Sequence, residues 1–476
     1  MKNQLSDHTI NDLMEIINLE AIKQLPKSTE HFISDVHGEF EAFDHLLRNC
    51  SGVISIKVDD LFDGILSEEE KLDLCFNIYY PEDLVLNAEK SKEEWMILLD
   101  QLVRLTRHVT SKYTRSKVRK ALPSAYAYIL EELIYQYDAE NDKMRYYHTI
   151  FNTMIDLDLA RHFAVALAHL IQRFVVDHLH VLGDIYDRGP NPDKIMDRLM
   201  VIPSMDIQLG NHDIIWMGAY AGSLACLTTV LRIQLRYGNT QLLKDYGIDL
   251  SRLAKYGHRY YQDNEAFRPR GSNLNLSPED ELEITLMHQA ISIMQFKVEG
   301  QVIQRRSDFQ MEDRLLLDKL SADRQSIHLN GKKYSIKNGC FQRVNPDNPY
   351  ELTLGEELVL LDLLHQFQTS PALSRHMNFL AQQGTLYLTY NKNLLFHGCL
   401  PMTDDGDFMS LTLDGKTYQG RSLMDRFEYA IRQAYIHKND QDDFNKDLIW
   451  YLWCGPVSPL FGKHAMTTFE RYFIED

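Results

Sequence analysis

The spacing of apolar residues along the chain predicts where its helices and strands lie. Apolar positions three and four residues apart predict amphipathic helices over residues 8–25, 40–47, 95–109, 126–135, 159–174 and 423–434. Short apolar runs predict strands over 32–35 and 179–182, and a β-hairpin is predicted over 384–398. Residues 299–336 follow neither spacing and are predicted to form hairpins and loops. Together these elements predict a fold of the mixed α/β (α+β) class.

One uncharged stretch, residues 214–231, has the length of a membrane span. It is punctuated by small residues, among them Gly218, Gly222 and Ser223. This pattern favours a buried helix that packs closely against its neighbours. We therefore expect no membrane contact.

Charge and cysteine usage narrow the classes of partner. The net charge of −18 over 476 residues argues against a nucleic-acid partner, because binding there requires clustered cations. It does not argue against a phosphorylated substrate, because bound metal ions invert the local charge. The six cysteines include no C-x-x-C pair, and the amino terminus has no apolar stretch of the kind that secretory signals carry. These features predict reduced thiols and a cytoplasmic protein.

Short motifs rich in carboxylates and histidines stand near the ends of predicted strands and in the turns between elements. In chain order they are Asp35-x-His37, Gly183-Asp184-x-x-Asp187-Arg188, Gly210-Asn211-His212-Asp213 and His397-Gly398. Carboxylate and imidazole ligands suit Mn, Fe or Zn. Two such ions about 3.5–4 Å apart can activate a water and clamp the phosphoryl oxygens of a phosphate monoester.

The ordered set of motifs resembles the calcineurin-like metallophosphoesterases. The resemblance implies a β-sandwich core flanked by helices. It also implies that Asp35, His37 and Asp184 hold a first metal ion, and that Asp184 bridges to a second ion bound by Asn211 and His397.

The same resemblance assigns catalytic roles. His212 is expected to act as general acid or oxyanion stabiliser, with Asp213 orienting it. Arg188 is expected to grip the phosphate, since its guanidinium fork matches phosphoryl oxygens, and Asp187 to fix the loop. The histidines of Asp177-His178-Leu-His180 lie inside a predicted strand and are interpreted as structural.

Longer sequence segments, distributed over nearly the whole chain, are similar to the class III fructose-1,6-bisphosphatases of Firmicutes. They are found at residues 31–43, 111–123, 183–190, 394–401 and 453–473. This resemblance implies fructose 1,6-bisphosphate as substrate, a cytoplasmic place in gluconeogenesis, and two divalent ions, with Mn²⁺ preferred over Mg, Fe or Zn. The sequence leaves the oligomeric state open, a homo-oligomer included.

Two departures from ordinary metallophosphoesterases shape further expectations. Almost 150 residues separate His37 from Asp184, where a short β-α unit is usual. We therefore expect a helical insert lobe over 51–159, with the core and its C-terminal additions formed by 1–50 and 160–476. The class III family also carries a late Gly-His-Thr-Pro motif that completes its second metal site. The sequence ends at Asp476 without it, so we expect a truncated chain.

A basic run over residues 111–120 has two interpretations. A solvated helix face is usual for charge runs and is slightly favoured here. The alternative is an anion site for a substrate or effector phosphate, formed by Lys112, Arg115, Lys117 and Arg119.

Two further functional hypotheses stay open. A different phosphatase on the same core is one, such as a protein serine/threonine phosphatase or a dinucleotide polyphosphate hydrolase. A catalytically impaired, partner-binding relic is the other.

Overall fold

The computed structural model describes residues 7–26, 29–86, 89–136, 144–271, 275–337, 339–438, 444–463 and 469–474. The chain separates into two compact units, each described here by itself. Unit 1 comprises Met1–His31 and Glu41–Leu179, and unit 2 comprises Phe32–Phe40 and His180–Asp476. The predicted insert over 51–159 falls within the bounds of unit 1, and the division into core and insert stays a prediction.

Unit 1 contains the helices that the apolar spacing predicts over 8–25, 95–109, 126–135 and 159–174, together with helices that it did not predict. The helices that begin in or near this part of the chain are α1 (Asp7–Ile22), α2 (Phe40–Arg48), α3 (Val53–Phe62), α4 (Glu68–Tyr79), α5 (Glu82–Leu86), α6 (Lys92–Thr110), α7 (Arg115–Ala121), α8 (Ala127–Gln136), α9 (Met144–Asp156) and α10 (Ala160–Val175).

Helix α6 shows how local sequence and packing agree in unit 1. Ser91 accepts a hydrogen bond from the N–H of Glu94, whose carboxylate accepts one from the N–H of Ser91, which satisfies two donors at the helix start. Further along α6, Leu102 is fully buried in the core, together with Phe163 and Leu167 of α10. Burying such side chains stabilises the unit by about 2 kcal/mol each.

Strands form one four-stranded sheet and several hairpins. The sheet has the order β1-β2-β3-β6, in which β1 is Glu30–Ser34, β2 is His178–Leu182, β3 is Met205–Gln208 and β6 is Gly384–Thr385. The hairpins pair β4 (Ser326–Leu329) with β5 (Lys332–Ser335), β7 (Tyr387–Tyr390) with β8 (Asn393–Phe396), and β9 (Ser410–Leu413) with β10 (Lys416–Gln419). The mixed helix-and-strand class is confirmed, and the metallophosphoesterase-type β-sandwich stays a prediction.

The helices of unit 2 include one that is long and largely buried, α16. They are α11 (Pro192–Leu199), α12 (Asn211–Ala221), α13 (Leu224–Arg236), α14 (Thr240–Asp245), α15 (Ser251–Tyr260), α16 (Pro278–Arg305), α17 (Leu354–Thr369), α18 (Pro371–Gln383), α19 (Gly420–Ile436), α20 (Phe444–Cys454) and α21 (Phe469–Phe473). The prediction of loops was wrong for residues 299–305, which continue α16. Glu299 is a helical residue there, and its carboxylate accepts hydrogen bonds from Gln295 and Trp450.

The uncharged stretch 214–231 forms parts of two helices instead of a single long one. Helix α12 ends at Gly222, whose φ of 105° suits a glycine at a helix end, and α13 starts two residues later. Within the described parts of the chain, no helix combines the length and apolar character needed to cross a membrane.

Candidate metal centre

Glycines bring the loops after β2 and β3 into contact. Gly183 follows β2 with a φ of 71°, a backbone conformation that residues with a side chain rarely adopt. A Cβ atom at Gly210 would lie 2.3 Å from both the backbone nitrogen and Oδ1 of Asp184. Only glycine at position 210 therefore allows the third motif to approach Asp184.

Backbone strain is concentrated at the predicted ligands. Asp35, His37 and Asp184 have φ values of 55°, 50° and 53°, in the left-handed region. Such a conformation costs about 1 kcal/mol per residue, so the surrounding structure must impose it. Part of the constraint is visible, because the N–H of His37 donates to the carbonyl of Asp184 at 2.9 Å.

Two groups of potential ligands share Asp184. Asp35, His37 and Asp184 form one group, and Asp184, Asp187 and His212 form the other; within each group the ligand atoms lie within 4.8 Å of one another. Nε2 of His37 lies 3.5 Å from Asp35 and from Asp187, and 4.0 Å from Asp184. Several carboxylates that converge in this way repel one another unless cations lie between them.

His397 is oriented as a ligand of this centre. Its Nδ1 donates to the carbonyl of Leu182 at 2.6 Å, which leaves Nε2 to face Asp184 Oδ2 at 3.4 Å. A histidine ligand typically donates its other ring nitrogen in this manner. Burial opposes the charged imidazole, but the Asp184 carboxylate prevails and raises the pKa of His397 to about 9.

The side chain of Asn211 lies against the Asp184 carboxylate. With its nitrogen turned toward Asp184, the amide donates to both carboxylate oxygens, at 3.1 and 3.3 Å. The same side chain carries an amide oxygen, which divalent cations accept as a ligand. The donor set of carboxylates, imidazoles and an amide oxygen therefore fits divalent metal ions.

His212 occupies a buried position beside Asp187. Its Nε2 lies 3.1 Å from Asp187 Oδ1, and its ring packs edge-on against Trp453, with centroids 5.0 Å apart. Burial lowers the pKa of His212, although the charges of Asp187 and Asp184 act in the opposite direction. Among the described residues, nothing hydrogen-bonds the buried Nδ1.

The structure corrects the partner expected for His212. Asp213 does not contact its ring and instead accepts hydrogen bonds from the N–H groups of Ile185, Tyr186 and Gly210, at 2.9, 3.1 and 2.9 Å. It lies at the start of α12, where its carboxylate caps the helix and ties the loop after β2 to it. Burial and the charge of Asp184 raise the pKa of Asp213 to about 7. Asp187 is the carboxylate beside His212.

Arg188 lies at the edge of the centre with its side chain about half exposed. Its Nε donates to Asp187 Oδ2 at 2.9 Å, and its carbonyl accepts from the Asn239 side chain at 2.8 Å. The remaining guanidinium donors are accessible to an incoming anion, which suits the predicted grip on phosphate.

The basic run belongs to unit 1, where each of the four cations of the predicted anion site has a partner. Lys112 and Lys117 lie 3.7 and 2.5 Å from Asp177, Arg119 lies 2.7 Å from Glu131, and Arg115 lies over the ring of Tyr135. An anion would have to compete with these partners, and the anion site stays a prediction.

A cavity of ≈ 460 Å³ adjoins the metal centre within unit 2. Its lining includes Asp187, Arg188, Asn211 and His212 on one part, and Trp453 with Arg232 and Arg236 on another. Sequence reasoning missed Trp453 and the two arginines. The arginines occupy positions i and i+4 of an otherwise uncharged helix, which was an available signal.

Comparisons with known proteins agree with the geometry. The family described as Firmicute fructose-1,6-bisphosphatase matches residues 4–476. A protein from Enterococcus faecalis named fructose-1,6-bisphosphatase class 3 is 52% identical over 468 residues, which cover 97% of this chain and 74% of that protein. A protein of the same name from Staphylococcus aureus strain Newman is 50% identical over 474 residues, which cover 97% of this chain and 72% of that protein. No solved structure matches the chain.

Proposed function

The chain belongs to the Firmicute fructose-1,6-bisphosphatase family, and on this premise we propose that it hydrolyses fructose 1,6-bisphosphate to fructose 6-phosphate and phosphate. Membership makes it a phosphoric monoester hydrolase. The observation that carries the proposal is the sharing of Asp184 by two groups of metal-binding side chains. A shared carboxylate is the arrangement that a pair of neighbouring cations requires.

Asp35, His37 and Asp184 would hold one divalent ion, and Asp184, Asn211 and His397 the other. The position of Asp187, within the same 4.8 Å as Asp184 and His212, adds it as a candidate ligand. Mn²⁺ is the ion that we propose, because carboxylates and imidazoles together suit it. When bound, the two ions supply charge neutralisation for the phosphoryl oxygens and activate water for attack.

The side chains around the ions have separate tasks. Asp187 lies 3.1 Å from Nε2 of His212 and orients the ring, and we assign to this imidazole the exchange of a proton with the reacting phosphate or leaving oxygen. Arg188, anchored through Nε on Asp187, presents its other donors to the phosphate. The carboxylate of Asp213 keeps the two loops that carry these groups together.

The setting of the reaction is part of the same proposal. All six cysteines are free thiols, most of them buried, which suits a reducing compartment. We place the enzyme in the cytoplasm, where it would serve gluconeogenesis.

The test is release of phosphate from fructose 1,6-bisphosphate with Mn²⁺, with the wild type and Asp184→Asn side by side. A panel containing a phosphoserine peptide and a dinucleotide polyphosphate separates the other substrate classes. We expect turnover of the sugar bisphosphate alone, abolished in the variant. Equal rates for the two proteins, or preference for another substrate, would refute the proposal.

A further inference from the structure

The cavity beside the metal centre is lined by more cationic side chains than the binding of the reacting phosphate requires. Besides Arg188, four cations line it: Arg232, Arg236, Lys463 and Arg471. The last two are exposed, but Arg232 and Arg236 are only 6% and 7% exposed. Buried arginines require compensation, because removing a charge from water costs several kcal/mol.

Arg236 has only neutral partners among the described residues. Its Nη1 donates to the hydroxyl of Tyr472 at 2.6 Å, and its guanidinium lies 5.6 Å from the centroid of that ring. A phenol hydroxyl and a π face are weak substitutes for a carboxylate.

The charge of Arg232 is compensated only indirectly, through an intervening glutamine. Its Nε donates to Gln295 Oε1 at 2.6 Å, and Gln295 in turn donates to Glu299 at 2.7 Å. Burial raises the pKa of Glu299, which weakens it as a counter-charge. Within the described part of the chain, no carboxylate oxygen lies within 4.0 Å of either arginine.

Another buried cation of unit 2 does have a carboxylate partner. Lys297, fully buried in α16, lies 2.7 Å from Glu356. The two arginines of the cavity have no such partner among the described residues, and they stand one helical turn apart on α13.

We propose that Arg232 and Arg236 form a subsite for the phosphate at the far end of the substrate from the phosphate that is hydrolysed. The inference rests on the proposed function: a sugar bisphosphate carries two dianionic groups, and the cavity offers the metal centre for one and the arginine pair for the other. Its volume lies in the range of small-molecule sites. Trp453, in the lining of the same cavity, offers an apolar face to the sugar between them.

The test compares two substrates that share the reacting phosphate. Fructose 1,6-bisphosphate carries the distal phosphate, and fructose 1-phosphate lacks it. In Arg236→Gln we expect kcat/KM for the bisphosphate to fall about tenfold or more, because a charge-assisted contact is lost. We expect kcat/KM for fructose 1-phosphate to change less than about twofold on the same grounds. Arg236→Lys restores the charge and should recover part of the preference.

The control is Arg259→Gln, which removes an exposed arginine that also lies over a tyrosine ring, 5.3 Å from the centroid of Tyr260. This variant should leave kcat/KM unchanged for both substrates. An equal loss for both substrates in Arg236→Gln, or no loss for either, overturns the subsite.

Calorimetric titration of fructose 6-phosphate into protein stripped of metal separates this inference from the catalytic proposal. One outcome is that the wild type binds fructose 6-phosphate, Arg236→Gln does not, and the wild type hydrolyses neither sugar phosphate. This outcome supports the subsite and refutes the proposed reaction. The reverse outcome is that the wild type hydrolyses the bisphosphate, while neither the binding of fructose 6-phosphate nor the substrate preference depends on Arg236. This outcome supports the proposed reaction and refutes the subsite. Arg236-dependent binding of inorganic phosphate with an unchanged substrate preference assigns the site to a separate effector anion and also overturns the proposal.

Discussion

Two carboxylates flank strand β2 in the sequence, and their surroundings differ. Asp177, which precedes the strand in unit 1, faces Lys112 and Lys117, and it also accepts hydrogen bonds from the Tyr113 hydroxyl and the N–H of Thr29. Asp184, which follows the strand in unit 2, has histidines within 4.0 Å, His37 and His397, and no lysine or arginine at that distance among the described residues. Both side chains are less than 10% exposed.

The difference separates a structural carboxylate from one built for a ligand. The lysines that compensate the charge of Asp177 belong to the chain itself, so this carboxylate requires no ligand from outside. Around Asp184, the partners within the chain are histidines, which are also ligands for cations supplied from outside. The same comparison applies to cations, because Lys112, Lys117 and Arg119 of the basic run have acidic partners, whereas neither arginine of the cavity has one among the described residues.

The sharpest test of this comparison exchanges each carboxylate for its amide. Asp184→Asn should lower kcat on the order of 10³-fold or more, because a ligand to both ions is lost. Unfolding stability should change less than in Asp177→Asn, since the histidines that favour the charge of Asp184 are opposed by the neighbouring Asp213 carboxylate. Phosphate release and urea unfolding measure the two effects, and elemental analysis should find two ions per wild-type chain and fewer in the variant.

Asp177→Asn is the matched control, with the opposite expectation: unchanged kcat per folded molecule and reduced stability. If both variants lose activity alike, the distinction between the two carboxylates is wrong. If the wild type holds one ion or none, the partner-binding relic becomes the better hypothesis.

A smaller effect is expected at the carboxylates around His212. Asp187→Asn should lower kcat by about 10- to 100-fold, as is usual for groups that orient catalytic or metal-binding residues. Asp213→Asn should chiefly lower stability, because it disturbs three backbone hydrogen bonds. Kinetics and unfolding of the two variants, measured together, decide between them. A kcat loss confined to Asp213→Asn would return the orienting role to that residue.

The sequence predicted the loops of the centre well because their motifs are local. The structure brings the predicted ligands Asp35, His37, Asn211 and His397 around Asp184, as their positions near strand ends and turns suggested. Their roles in catalysis remain predictions.

What the sequence could not supply depends on contacts between distant segments. Asp187 and Asp213 both neighbour conspicuous residues in the motifs, and only tertiary structure shows which carboxylate reaches His212. The run 111–120 attracted attention through its charge, although its partners, Asp177 and Glu131, lie far from it in the chain. Arg232 and Arg236 were hidden in an apolar helix, because sequence alone does not show whether a buried cation has a carboxylate.

The next prediction concerns stability alone. Asp177→Asn should lower the free energy of unfolding by about 2 kcal/mol, since charge-assisted hydrogen bonds are replaced by weaker ones. Lys117 is half exposed and tolerates the loss of its partner, so Lys117→Met should cost less, below about 1 kcal/mol. Urea unfolding monitored by circular dichroism measures both. A larger loss in Lys117→Met than in Asp177→Asn would show that the lysine's packing dominates.

The smallest effect is the dependence of that stability on pH. Burial opposes the charge of Asp177, but its hydrogen bonds with Lys117 and Tyr113 outweigh burial and hold its pKa below the ordinary value. A carboxylate with a depressed pKa binds its proton less readily in the folded than in the unfolded protein. Its contribution is therefore fully present above the unfolded pKa of about 3.9 and is lost as pH falls through the folded value. The difference in unfolding free energy between wild type and Asp177→Asn should stay constant above about pH 5 and narrow below about pH 4. A difference that stays constant down to pH 3 would mean that the carboxylate of Asp177 is not held by charge.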